Sequence, residues 1–137
     1  MKAQSEFSHV PNFTDYMAVA VKTVNNFFKG DLINKKILDI PAGNGLVSSE
    51  LKKLGAKMVS ADINEELFHY IQVDMEKPLP FDDESFDAVI CLEGIEHILH
   101  PESLFAELAR VLKKGGLLII STPNVQSFYS RYQLLCT

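Results

Sequence analysis

Several features are scarce in this sequence, and each scarcity excludes something. No apolar run approaches the roughly 20 residues that a bilayer-spanning helix needs. The opening stretch MKAQSEFSHVPNF has no apolar centre of the kind a signal peptide carries. Cysteine occurs only twice, at Cys91 and Cys136, which is too few for a disulfide framework or a cysteine-based zinc site. Cys91 lies inside an apolar run and reads as a small buried thiol. Cations are the minority charge, 13 Lys+Arg against 18 Asp+Glu, for a net charge of −5. A sequence-independent grip on nucleic-acid phosphates is therefore not expected. Internal repeats and low-complexity tracts are also absent. The expected compartment is cytoplasmic, with no membrane partner.

What is present describes one domain over residues 1–137. Apolar residues make up 47% and charged residues 23% of 137, an ordinary balance for a chain with a single core. Residues 12–29 carry Phe13, Met17, Ala20, Val21, Val24, Phe27 and Phe28 at helical spacing, with Gly30 as the stop. This stripe reads as core packing or a lid. Short apolar runs at 36–40, 57–62, 70–74, 86–92 and 117–121 read as five strands. Helices are expected at Leu46–Leu54, at Pro101–Leu112 with Lys113 and Lys114 at its end and Gly115-Gly116 closing it, and at residues 124–135. Strands alternating mostly with helices imply right-handed crossovers. The expected fold class is α/β: a Rossmann-like three-layer sandwich with a mostly parallel sheet of about five strands.

Ligands of such sheets bind beyond the C-terminal strand ends. The unusual polar residues gather there: Asp39 through Gly45, Asp62, Asp74, Glu93 through His97, and Ser121 through Asn124. Gly43-x-Gly45, between a strand and a helix, allows a tight turn and close approach of a ligand to the backbone. The dinucleotide fingerprint wants a third glycine where Ser48 stands, which disfavours a pyrophosphate site and an NAD-type oxidoreductase. Asp62 ends the second strand, where a carboxylate can accept from both hydroxyls of a ribose or cap the following segment. Asp74 ends the third strand and reads equally as an acceptor for an exocyclic amine or as a turn carboxylate. Glu93, Glu96 and His97 would share one face of a helix at i, i+3 and i+4. That set could bind a divalent cation such as Mg²⁺. The favoured reading has no metal and leaves Glu96 and His97 to shape the mouth. His9, His69 and His100 have no ligand-like spacing.

Taken together, five stretches resemble the class I S-adenosylmethionine-dependent methyltransferases, in the branch of the ubiquinone-biosynthesis O-methyltransferases. They are Ile37 through Gly45, Ala61-Asp62-Ile63, Leu79 through Ile90, Glu93 through His97, and Leu108 through Asn124. The resemblance implies S-adenosylmethionine as cofactor. Asp39, Pro41, Ala42, Gly43 and Gly45 would hold its methionine part, and Asp62 its ribose. Ile63 would lie against the adenine, Asp74 and Met75 would line the adenine edge, and Leu92 and Glu93 would lie near the sulfonium. His97 and Glu96 would be the catalytic pair, acting on a small-molecule methyl acceptor. Two departures stand out. Pro41 replaces a usual glycine, and Asp62 and Asp74 are separated by less chain than the family has there, so the adenine side should be more open. The family's last two strands have no counterpart in the sequence. A truncated domain, or a cofactor-binding fragment without turnover, is therefore the alternative reading, with self-association through the fifth-strand edge or the last helix.

Overall fold

A computed structural model describes residues 11–64 and 69–122, together with the backbone of 130–135. Thr14 opens α1 (Asp15–Phe27) by accepting the Met17 N–H on its side chain. That hydroxyl cap places the helix start three residues later than the apolar spacing alone suggests. β1 (Lys36–Asp39) leads into α2 (Leu46–Lys53), and β2 (Lys57–Asp62) follows. β3 is only Ile71–Gln72, shorter than the apolar run at 70–74. β4 (Phe86–Leu92), a 3₁₀ turn (Ile95–His97) and α3 (Pro101–Val111) come next. β5 (Leu112–Thr122) and β6 (Ser130–Leu135) complete the order.

The sheet runs β3-β2-β1-β4-β5-β6, with every pair parallel except β5 with β6. This is the expected Rossmann-like architecture with one more strand. The residues expected to form a last helix instead supply, at 130–135, a strand antiparallel to β5. The unpaired N–H and C=O groups of β5 are a strong template for any chain that reaches them, and strand pairing there wins over helix periodicity. The β5 edge, expected to be free for a second copy, is thus occupied by this chain. The remaining residues expected in that helix, 124–129, lie outside the described residues.

A second correction concerns Lys113 through Gly116. They do not cap α3, which ends at Val111. They belong to β5 as a bulge: Phe86 pairs with Leu112, and Ala88 already pairs with Leu117. Gly116 tolerates no side chain in this bulge, because a Cβ would come within 2.9 Å of the Asp87 carbonyl oxygen.

Alternation along the central strands builds two cores. Ile37, Ala88, Ile90, Leu117 and Ile119 face α1 and α2, while Leu38, Val89, Cys91, Leu118 and Ile120 face α3. This explains the near-continuous apolar runs, which belong to strands buried on both faces. Arg110 of α3 then braces the loop that precedes β4. It bonds Glu107, Asp83 and the carbonyls of Leu79 and Phe81. The Leu79–Asp83 stretch thus has a structural task, since it supplies the acceptors for one guanidinium. Among the described residues no helix is long and apolar enough to cross a membrane.

Leu108 is fully buried on α3, whereas Leu54 is 44% exposed. Leu108→Ala should cost about 2–5 kcal/mol in urea unfolding through lost burial and a cavity. Leu54→Ala should stay within about 0.5 kcal/mol. Equal effects would contradict the placement of α3 on the sheet.

Candidate functional site

The site begins with a buried acid. Asp39 closes β1 and is 2% exposed. Ser48 of α2 donates its hydroxyl to Asp39 Oδ2 at 2.6 Å, and Ser48 Oγ lies 2.8 Å from Ser60 Oγ on β2. Ser48 has one proton to give, so with Asp39 ionised the chain must run from Ser60 to Ser48 to Asp39. Burial pushes the Asp39 carboxyl up to about 7. The Ser48 bonds oppose this, and the neighbouring Asp62 carboxylate adds to it. Ser48 therefore has a definite role at the position where a dinucleotide site would need glycine.

The turn after β1 is held from several directions. The Ile40–Pro41 peptide is cis. Ala42 donates to the Ala61 carbonyl of β2 at 2.9 Å, and Gly45 donates back to Ala42 at 2.9 Å. Gly43 donates to Asp62 Oδ2 at 2.9 Å. Gly43 and Gly45 have φ of 55° and 75°, values that favour glycine. A Cβ on Gly43 would meet nothing within 4 Å, so the backbone there faces open space. Gly45 is also the N-cap of α2 and makes no side-chain cap bond. The departure at Pro41 has a local answer in Gly94: a Cβ on that residue would lie 2.5 Å from the proline ring. Proline in the turn and glycine after β4 fit one another.

Asp62 is 6% exposed and also accepts the Asn64 N–H, at 3.1 Å. Ile63 beside it is 59% exposed, so the side expected to receive an adenine is open. Asp74 accepts the Glu76 N–H at 3.0 Å and lies 3.7 Å from Lys77, the geometry of a turn carboxylate. Met75 is partly buried against the α3-side core.

At the end of β4, Leu92 is buried and Glu93 takes a left-handed conformation, φ 54°. A non-glycine residue held there stores strain of a kind found at functional sites. Glu93 donates its N–H to the Ser121 carbonyl at 2.9 Å and accepts from the Ser121 hydroxyl at 3.3 Å. Its carboxyl is raised above the usual range by burial first and then by the Glu96 carboxylate, against the pull of Ser121 and His97. Glu93, Glu96 and His97 do not share an α-helical face. Glu93 lies outside the 3₁₀ turn, whose three residues per turn aim Glu96 and His97 differently. Among the described residues no group of three acidic, His or Cys side chains is placed to hold a metal ion. Glu96 and His97 lie 3.5 Å apart, and the imidazole is 78% exposed.

A cavity of about 250 Å³ joins these parts. Asp39, Pro41, Ala42, Gly43, Leu92 and Glu93 line it, together with Asn44, Val47, Tyr16 and Met17. Gly45, Asp62, Ile63, Asp74, Met75, Glu96 and His97 are not part of its wall. Tyr16 and Met17 were legible only as members of the α1 apolar stripe. Their place in the cavity wall follows from α1 packing against α2 beside the turn. Ser121 carried no signal beyond its place at a strand end.

Strand ends, glycine turn and flanking acids define a methyltransferase-type domain. A methyltransferase domain family matches residues 38–120, and the chain belongs to that family. It is 35% identical over 108 residues to a ubiquinone biosynthesis O-methyltransferase of Xanthomonas oryzae, covering 69% of this chain and 45% of that one. It is 36% identical over 116 residues to a demethylmenaquinone methyltransferase of Clavibacter sepedonicus, covering 73% and 47%. The chain thus spans less than half the length of these curated relatives. Among solved structures, a Pyrococcus horikoshii protein superposes with TM-score 0.65 at 27% identity, covering 88% of this chain and 67% of that one. A putative methyltransferase of Bacillus halodurans gives TM-score 0.60 at 28% identity, covering 78% and 55%.

The raised Asp39 carboxyl fixes a pH dependence. The unfolded chain loses this proton near 3.8 and the folded chain near 7. Above the lower value the unfolded chain binds fewer protons, so stability falls with rising pH and levels off above about 7. Asp39→Asn removes the penalty and should stabilise the free protein by roughly 2–4 kcal/mol at pH 8 and by little at pH 4. Melting curves across that range check it, and a pH-independent difference would contradict it.

Proposed function

We propose that this domain binds S-adenosylmethionine and passes its methyl group to an oxygen or nitrogen of a small molecule. The observation that carries the reading is the convergence of Asp39, the open Gly43 backbone and Asp62 at adjoining strand ends. The residues suit the cofactor chemically. A cationic ammonium group suits the cavity carboxylates, ribose hydroxyls are donors for Asp62, and the bare Gly43 backbone allows close approach.

The cofactor supplies an activated methyl on a sulfonium, so the chain has chiefly to bind, orient and exclude water. Asp39 and the turn would fix the amino-acid end, and Asp62 the ribose. Exposed Ile63 offers an apolar face to the adenine, with Met75 behind it. Asp74 is already engaged in its own turn, and we give it the smallest share. Leu92 and Glu93 would flank the reacting end, below Tyr16 and Met17 of α1. An acceptor hydroxyl must lose a proton as its oxygen takes the methyl. His97, with Glu96 beside it, would take that proton at the mouth. No metal step is assigned.

S-adenosylhomocysteine, the demethylated product form, should raise the melting temperature, and the rise should grow with the logarithm of its concentration once that exceeds the dissociation constant. Asp62→Ala should weaken binding by about 1.5–3 kcal/mol for each charged hydrogen bond lost. A folded Asp62→Ala protein with unchanged affinity in calorimetry would remove Asp62 from the ribose.

A further inference from the structure

Tyr70 stands just before β3, and neither the sequence motifs nor the lining of the cavity includes it. Its phenol donates to the Gly43 carbonyl at 3.2 Å. The same residue's N–H is already held by Asp62. Gly43 is therefore pinned at its N–H from β2 and at its carbonyl from the β3 edge. The phenol oxygen also occupies the space that the missing side chain of Gly45 leaves, since a Cβ there would collide with it. Gly45 thus answers to two constraints, its positive φ and the seat of Tyr70. By contrast, the space over Gly43 is open. Burial first, and then the carboxylates of Asp39 and Asp62, raise the pKa of the phenol.

We propose that Tyr70 is a positioning residue for the cofactor turn: its hydroxyl holds the Gly43 carbonyl so that the turn stands preformed, with its open face toward the ligand. The proposal rests on the methyl-donor reading for its consequence in binding, while the pinning itself is a property of the free protein. A turn held at both ends of one residue loses little freedom when a ligand lands on it. Released at the carbonyl, it must be ordered at the expense of affinity.

The test is Tyr70→Phe, which keeps the ring and removes the one donor. In the free protein, amide exchange at Gly43 and Gly45 should accelerate by about 2- to 12-fold, while exchange in β1 and β4 stays unchanged. The dissociation constant of S-adenosylhomocysteine should rise by a similar factor. Gly45→Ala supplies an independent check. Its melting-temperature loss should be smaller in the Tyr70→Phe background, where the colliding oxygen is gone. Unchanged turn exchange would overturn the proposal, as would tighter binding, which would mean that the phenol obstructs the site. Acceleration spread evenly over the sheet would overturn it too, by marking a general loss of stability. If exchange responds as expected and the wild-type protein does not bind S-adenosylhomocysteine, the methyl-donor reading falls and the pinning stands.

Discussion

The arrangement depends on keeping one carboxyl, Asp39, inside the protein. Its burial is unfavourable, and the chain offsets the cost with a two-serine relay from α2 and β2. That relay fixes where α2 starts against the sheet, and with it the course of the turn between Asp39 and Ser48. An uncharged acceptor at this position would keep the Ser48 bond without the cost of a buried charge. The acid makes sense where a ligand brings a positive charge to a cavity that Asp39 and Glu93 line together with Leu92, Val47, Met17 and Tyr16. On the proposed reading, stability and binding pull in opposite directions at a single carboxyl, a tension common at functional sites.

Around this acid the strand ends are joined by backbone more than by side chains. Ala42 bonds β2, Ile40 bonds β4, and Glu93 bonds β5, each through N–H to carbonyl contacts near 2.9 Å. Side chains add the finer fits: Asp62 on Gly43, Pro41 against Gly94, and Ser121 on Glu93. Four segments far apart in sequence thus meet within one rim. Substitutions at Gly94 and Pro41 should be coupled, since the ring of one fills the space that the other vacates.

Most of the fold was legible because both-face burial leaves continuous apolar runs, and β1, β2 and β4 stand where those runs are. Boundaries failed where a local interaction outranked pattern: the Thr14 cap, the bulge at Lys113–Gly116, and the pairing of β6 with β5. In the site, Asp39, Gly43 and Glu93 were legible as polar or small residues at strand ends, and Leu92 through the family resemblance, and the four do share one cavity. The metal-like trio was misleading because spacing assumes an α-helix, and the backbone after β4 makes a left-handed step followed by a 3₁₀ turn. Tyr16 and Tyr70 were hidden for a different reason. Their importance lies in the segments they reach across to, and no local pattern encodes a contact between Tyr70 and a turn 27 residues earlier.

The distribution of charge carries the argument one step further. The carboxylates of Asp39, Asp62, Glu93 and Glu96 lie at the C-terminal ends of the strands, while Lys36, Lys57 and Lys113 mark the opposite ends of β1, β2 and β5. The rim thus presents negative potential to a ligand and focuses it in a small cavity. On the proposed reading, that field favours a sulfonium over the neutral thioether left after methyl transfer. The same carboxylates that attract the donor then hold its product less firmly. On the same reading, a field of this sign favours release of the neutral product over its retention.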